Sequence, residues 1–151
     1  MSREIDAWSP ARTKTFKPEL RLTTSASTLV ALEVLDLALR QRDYKILDRT
    51  AASLRARYID WFDLISGGIN RTVLHLTVQQ DVTPERPTST TVVVRARSLD
   101  SDQKARKLAA EGLSNALAML RAQGHAAQAT DWYDADRGAP GAPGEGTDGY
   151  P

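Results

Sequence analysis

The chain contains no cysteine and only two histidines, His75 and His125, among its 151 residues. Without thiols there can be no disulfide, no thiolate zinc site, no iron–sulfur ligation and no cysteine nucleophile, and two histidines leave little for an imidazole-based metal site. We therefore predict that the protein holds neither a metal nor another cofactor.

Long apolar runs are also missing. No run approaches the roughly 18 residues that a membrane-spanning helix needs. The segment Met1–Pro10 carries Arg3, Glu4 and Asp6 where a secretory signal would have an apolar centre. These absences predict a cytoplasmic protein without integral membrane association. The length, with 41% hydrophobic and 26% charged residues, is that of one ordinary globular domain.

Motifs that carry chemistry are lacking as well. We find no phosphate-binding loop, no dinucleotide fingerprint, no nucleophile elbow, no zinc-protease motif and no EF-hand loop. Close carboxylates, such as Asp60 and Asp63, have ordinary surface explanations, because no second group is placed to separate their pKa values. The sequence therefore predicts a non-enzymatic protein. An enzyme assembled from distant residues is the alternative, which a convergent polar pocket would favour.

Charge is present in quantity but is unevenly distributed. The formal net charge is +1, yet residues 1–124 hold 19 Lys and Arg against 14 Asp and Glu. Residues 125–151 hold one Arg against five acids. Arginine outnumbers lysine by 15 to 5, which suits bidentate recognition of carboxylate or phosphate but is equally typical of a GC-rich genome. The chain is thus a basic body with an acidic tail.

Composition divides the chain into three parts. Residues 1–12 are predicted to form an irregular arm, 13–124 an α+β domain, and 125–151 an acidic, Gly/Pro-rich flexible tail. Within the tail, Trp132 and Tyr133 stand among acids. This segment could dock on the basic face of its own domain, could be a short motif for another protein, or could simply be solvated, which is the interpretation that we favour.

Periodicity predicts two helices and five strands. Apolar residues recur at helical spacing from Ser27 or Thr28 to Arg40, and again from a cap at Asp100 or Ser101 to a stop at Gly124. Segments of period 2 rich in β-branched residues cover 19–24, 44–48, 53 to about 65, 69–80 and 89–98. We predict one antiparallel sheet of about five strands with two helices on one face, in the order β-α-β-β-β-β-α.

That order resembles the topology of the TATA-box-binding-protein-like folds. The resemblance is one of element order and covers about residues 16–123. It implies a single sheet with its helices on one side.

The turn Ser66–Gly67–Gly68 suggests a register for the two longest strands. A two-residue loop would place Arg57 beside Val78, whereas a three-residue loop pairs Tyr58 with Leu76 and Arg57 with Thr77. We prefer the three-residue loop, and we expect a bulge or strong twist near Asp60–Trp61–Phe62. The core face then collects Leu20, Leu22, Ile46, Leu54, Ala56, Tyr58, Leu74, Leu76, Val78, Val92, Val94 and Ala96.

Cations are predicted to gather on the opposite, open face of the sheet, with Glu19 as the only nearby acid. Besides Thr77, the candidate residues for binding an anionic ligand or a partner are Arg21, Lys45, Arg49, Arg55, Arg57, His75, Arg95 and Arg97. Such a face attracts phosphates, anionic headgroups or acidic partners. The plainer interpretation is that Arg, Lys and Thr are ordinary on solvated strands.

A second candidate is an apolar hairpin tip, where Trp61, Phe62, Ile65 and Ile69 could contact another subunit or a membrane interface, or could pack as core. We predict a small binding or adaptor domain that engages a protein or an anionic ligand through its basic face. A homo-oligomeric structural protein is the main rival. A nucleic-acid-binding accessory protein is less favoured, because the predicted face carries no interleaved aromatic side chains, Trp61 being the one candidate.

Overall fold

The computed structural model of the protein describes residues 5–8, 17–59, 73–81, 89–98 and 103–138. Within these ranges seven strands and two helices form a single α+β unit. In chain order they are β1 (Pro18–Thr24), α1 (Thr28–Arg40), β2 (Lys45–Arg49), β3 (Ser53–Ile59), β4 (Val73–Asp81), β5 (Thr90–Ser98), α2 (Gln103–Ala122), β6 (Ala127–Ala129) and β7 (Tyr133–Asp134).

The strands form one antiparallel sheet in the order β2-β3-β4-β5-β1-β6, and β7 pairs with β1 as well. The predicted fold class and the order β-α-β-β-β-β-α are therefore confirmed. β6 and β7 are additions to that order. They lie in the segment that composition assigns to the flexible tail, so the sheet includes residues of that segment.

Both helices pack on the same side of the sheet. The predicted core side chains of the strands are buried there, with Ile46 only partly covered. The helices contribute Leu32, Leu35, Leu39, Leu113 and Leu117, each almost wholly removed from solvent. Burial of each such leucine stabilises the fold by about 1.5–3 kcal/mol, which explains why one face of the sheet is committed to packing.

The helix ends and the helix contact follow from particular residues. Ser27 caps α1, because its side chain accepts a hydrogen bond from the Val30 backbone N–H at 3.2 Å. Gly124 ends α2 with a φ of 93°, a left-handed conformation that suits glycine. Gly112 lets the helices approach closely, since a Cβ there would lie 3.2 Å from Cδ2 of Leu39.

The predicted register between β3 and β4 is wrong by two residues. Tyr58 pairs with Leu74 rather than Leu76, and Arg57 pairs with His75 rather than Thr77. Because side chains alternate with a period of two, a slip of two residues leaves every side chain on its predicted face. The hydrophobic pattern therefore cannot distinguish the two registers, although it fixes the faces.

A β-bulge in β2 changes the face of one predicted binding residue. Ile46 pairs with Ala56 and Asp48 with Arg55, so Leu47 is an extra residue between them. The insertion turns Arg49 towards the helices, where its guanidinium lies 3.2 Å from the Asp36 carboxylate of α1. The prediction that Arg49 lies on the open face is therefore wrong.

The C-terminal strands β6 and β7 pair with β1, and residues 5–8 of the N-terminal arm pack against α2 and Trp132. The backbone N–H of Ile5 donates to the Ser114 hydroxyl at 2.9 Å, and Trp8 meets Trp132 edge-on with ring centroids 4.7 Å apart. Trp132 and Tyr133 are both buried, so neither ring is exposed as a motif for another protein.

Some predictions concern residues that lie outside the described ranges. These are the apolar tip (Trp61, Phe62, Ile65 and Ile69), the expected bulge near Asp60 and the predicted caps Asp100 and Ser101.

Candidate functional site: the open face of the sheet

The side of the sheet away from the helices presents its side chains in rows that run across the strands. In an antiparallel sheet, residues paired across strands point to the same face with Cβ atoms about 4.5–5.5 Å apart. The register therefore determines which charged side chains are neighbours. Two adjacent rows of this face contain most of its charges.

We call the first the neutralised row. It runs from β2 to β7 through Asp48, Arg55, Thr77, Arg95, Glu19 and Tyr133. Each of its two arginines meets a carboxylate: Arg55 Nε lies 3.4 Å from Asp48, and Arg95 Nε donates to Glu19 at 2.7 Å. The cations of this row are thus committed to partners within the fold.

Glu19 is the centre of the neutralised row. Its side chain is only 6% exposed, yet it accepts hydrogen bonds from Arg95 and, at 2.6 Å, from the Tyr133 hydroxyl. Burial and the hydrogen bond to Glu19 raise the pKa of Tyr133 to about 12. This cluster fastens the C-terminal segment to the first strand. The ion pair between Lys17 and Asp136, with its closest atoms 3.3 Å apart, reinforces the same edge.

Arg21 is neutralised in the same manner. Its guanidinium donates to the Asp81 carboxylate. Burial acts to lower the pKa of Arg21, but its hydrogen bonds with Asp81 and Tyr133 outweigh that effect and raise the pKa. Asp48 and Asp81 are acids of the open face that the sequence prediction missed.

We call the second the cationic row. It lies two residues further along β3, β4 and β5. The row runs through Lys45, Arg57, His75 and Arg97, each directly opposite the next on β2, β3, β4 and β5. Among the residues that the structure describes, no carboxylate forms an ion pair with Lys45, Arg57 or Arg97. Arg57 Nε is also shielded from solvent without a hydrogen-bond acceptor in the same ranges.

Like charges that face one another across strands destabilise a sheet. The cationic row therefore works against folding, whereas the neutralised row beside it supports folding. Positions where a sequence departs from the requirements of stability without local compensation are candidates for function. The cationic row is the strongest such position on the described face.

A concavity of about 370 Å³ lies between the two rows and is lined by His75 and Arg97 of the cationic row, with Lys45 and Arg57 outside its lining. His75, Thr77 and Arg97 line it together with Arg55, and the bulged Leu47 forms an apolar wall at the β2 side. The concavity therefore offers cationic groups, a hydroxyl and a small apolar surface in one place. A ligand with an anionic head and a compact apolar part matches this lining.

His75 is the titratable member of the row. Burial lowers its pKa, and the positive charges of Arg57, Arg97 and Arg55 lower it further. The imidazole is therefore neutral at neutral pH. An anion brought between the two flanking arginines would reverse this electrostatic effect and favour the protonated form.

Of the eight candidate binding residues predicted for the face, the structure brings seven together and places Arg49 elsewhere. Three of the seven, Arg21, Arg55 and Arg95, are held by carboxylates. The remaining four form the cationic row. No group of three potential metal ligands occurs within the described ranges, and no helix in them is long and apolar enough to cross a membrane.

The fold class and the cationic row can now be set beside two comparisons with known proteins. No protein-family model matches the chain, and no curated protein matches it.

Proposed function

We propose that the protein is a small, non-enzymatic, cytoplasmic binding domain that engages an anionic group of a protein or ligand through its open sheet face. The observation that carries this proposal is the cationic row. Lys45, Arg57 and Arg97 lack acidic partners in the described structure, while the cations beside them have such partners. Electrostatic attraction of an external anion is therefore strongest at the cationic row.

The C-terminal segment supports an accessible row. Residues 127–134 attach along β1, at the opposite edge of the sheet from β2. In the described structure the acids of that segment do not reach Lys45, Arg57 or Arg97, since Asp136 pairs with Lys17 and Asp134 lies beside Pro18. An external anion thus meets no competing contact from residues 125–138.

Retention on a heparin column, eluted with increasing salt, tests the proposal. The double variant Arg57→Gln/Arg97→Gln should elute at distinctly lower salt than the wild type. The matched control, Arg40→Gln/Lys107→Gln, removes two exposed positive charges from the helices and should elute close to the wild type. Circular dichroism verifies that both variants are folded.

Equal loss of retention in the two double variants would show attraction by net charge alone and would overturn the proposed site. Retention that stays unchanged in the Arg57→Gln/Arg97→Gln variant would place the anion elsewhere and overturn it too. A selective loss in that variant supports it. Long-range attraction weakens within about 10 Å at 0.1 M salt, so a localised site should remain distinguishable at moderate salt.

Nucleic acid is a weaker candidate partner. Sequence-tolerant binding of single strands uses aromatic rings as stacking platforms. On the described open face the aromatic side chain is Tyr133, whose hydroxyl is bound to Glu19. The cationic row itself contains no ring other than the imidazole of His75.

Self-association has one observation in its favour. Leu29 and Leu37 of α1 are 58% and 48% exposed. They lie two turns apart on the same side of the helix, so a second copy could cover both. If this rival were correct, light scattering after size-exclusion chromatography would give a multiple of 16.6 kDa, and Leu29→Ser/Leu37→Ser would restore the monomer.

A further inference from the structure

We infer that the cationic row and its concavity bind the dianionic phosphate group of a soluble phosphate monoester. This inference rests on the proposed function and specifies the chemistry of the ligand. The geometry of Arg57, His75 and Arg97 points to a dianion, and the wall formed by Leu47 points to an ester rather than to free phosphate.

The two arginines can act on one group. Arg57 and Arg97 flank His75 on the neighbouring strands. Adjacent strands are about 4.8 Å apart, so the two backbones are separated by roughly 10 Å. Two arginine side chains can converge over such a span, and each guanidinium can donate two parallel hydrogen bonds to phosphate oxygens. Lys45, one strand further, lies opposite Arg57 and adds a positive charge to the row.

The concavity accommodates more than a phosphate. It extends from Arg97 to Leu47 and has a volume of about 370 Å³. A water molecule in the liquid occupies about 30 Å³, so there is room for a phosphate group together with an organic substituent. The Thr77 hydroxyl lies in the lining as a further hydrogen-bond donor. Leu47 is 38% exposed at the wall and offers apolar surface to the organic part of an ester.

A dianion is favoured over a monoanion because the row contains an extra proton site. Among the described residues, the charged groups that face His75 are cationic, namely Arg57 and Arg55 on β3 and Arg97 on β5. Arg55 is paired with Asp48, and Arg95 on β5 is held by Glu19. With the row empty, this environment keeps the imidazole neutral. A second negative charge between the arginines stabilises the imidazolium, which then donates another charge-assisted hydrogen bond. Binding should therefore take up a proton at His75.

Isothermal titration calorimetry of the full chain with phenyl phosphate and phenyl sulfate tests this inference. The two probes are close in shape, but phenyl phosphate is largely dianionic at neutral pH, since its second pKa is near 6, and phenyl sulfate is a monoanion. Phenyl phosphate should bind at least about tenfold more tightly, because one further charge-assisted hydrogen bond is worth such a factor.

Repeating the titration in two buffers of different ionisation enthalpy measures the proton uptake. The wild type should take up a fraction of a proton, up to one, per phenyl phosphate bound. His75→Gln should take up none beyond what the ligand itself accounts for, and should bind phenyl phosphate and phenyl sulfate with similar affinity. The matched control His125→Gln alters the other histidine, at the far end of α2, and should behave as the wild type.

Further variants check the location and the source of the phosphate. Arg57→Gln/Arg97→Gln should abolish measurable binding of phenyl phosphate, and Leu47→Ser should reduce its affinity to that of inorganic phosphate. Equal affinity of the wild type for inorganic phosphate and phenyl phosphate would overturn the assignment to an ester. Binding confined to vesicles that contain phosphatidic acid would overturn the assignment to a soluble one.

The inference and the proposed function can fail separately. Equal binding of phenyl phosphate and phenyl sulfate without proton uptake overturns the dianion site. If the heparin experiment still shows a selective loss in the Arg57→Gln/Arg97→Gln variant, the binding face stands and only its ligand class is wrong. If heparin retention is also unaffected, both are overturned.

Discussion

The neutralised row and the cationic row lie side by side on one sheet face, and each contains two arginines. In the neutralised row, Arg95 and Arg55 meet Glu19 and Asp48, and a tyrosine completes the cluster. In the cationic row, Arg57 and Arg97 have between them only a histidine whose pKa they depress. The arginines are alike in the two rows, but their neighbours differ. The ion pairs of the neutralised row stabilise the fold, whereas the positive charges of the cationic row form no such pairs in the described structure and can attract an external anion.

Glu19→Ala should give the largest effect and would sharpen this comparison. The variant leaves Arg95 and the Tyr133 hydroxyl without their acceptor and should lower the free energy of unfolding by about 2–3 kcal/mol, since loss of one partner from a buried pair is strongly destabilising. Urea unfolding measures the change. The exposed Glu33→Ala on α1 is the control and should change stability by less than about 0.5 kcal/mol. Similar values for both variants would contradict the structural role of Glu19.

Tyr133→Phe removes one donor from the same cluster. It should lower stability by about 1–1.5 kcal/mol, the usual contribution of a hydrogen bond, here to a charged group. Since the folded pKa of Tyr133 is about 12 and the unfolded value is about 10, the unfolded chain loses this proton first. The stability of the wild type should therefore fall as pH rises from about 10 to about 12.

Ultraviolet absorbance of phenolate follows the titration of tyrosines directly. Tyr133 of the wild type should titrate near pH 12, and Tyr133→Phe should lose that late step. A wild-type titration curve without any late step would contradict the contact with Glu19. Tyr44→Phe, which removes a different buried hydroxyl, is the matched control and should leave the late step in place.

A pair of arginine variants compares the rows most directly. Arg95→Gln, in the neutralised row, should destabilise the protein by about 1 kcal/mol, because it leaves the buried Glu19 carboxylate without its charged partner. Arg97→Gln, on the same strand, should leave stability unchanged or raise it by about 0.5 kcal/mol, because it removes no ion pair and lowers the repulsion between the positive charges of the row. Thermal unfolding of both variants measures the difference. A larger loss for Arg97→Gln would abolish the distinction between the rows.

The pH dependence of His75 should give the smallest effect. The pKa of His75 in the folded protein lies below the ordinary histidine value of about 6.5, so the unfolded chain binds more protons as pH falls past that value. The free energy of unfolding should therefore decrease because of His75 as pH falls below about 6.5, and His75 should not affect it at higher pH. His75→Gln should flatten the acid slope of stability measured by urea unfolding. A slope in His75→Gln equal to that of the wild type would contradict the electrostatic environment assigned to the row.

The sequence was sufficient to predict the fold class and the faces of the strands, because both depend on periodicity. Leu54, Ala56 and Tyr58 alternate with arginines, and this alternation survives a two-residue error in register. What periodicity cannot give is the neighbour across the strand. Arg57 opposite His75, rather than opposite Thr77, is what creates the cationic row.

Two further features lay beyond sequence pattern. The bulge at Leu47 is a single inserted residue, and its effect is to exchange the faces of Asp48 and Arg49. The docking of Tyr133 depends on Glu19, more than a hundred positions away, and short strands such as β7 have no periodicity to detect. The acidic composition of the last residues therefore suggested a uniform tail, although its first part belongs to the sheet.

The position of β1 has a consequence for synthesis of the chain on the ribosome. Its partners all come much later: Glu19 bonds to residues that lie 76 and 114 positions further along. β1 therefore has no neighbour while most of the protein is being made, and contacts of such sequence separation slow folding. We expect β2, β3 and β4 to pair first, and the opening strand to be enclosed only after residue 134 has left the exit tunnel. The earliest strand to be synthesised is then the last to be completed.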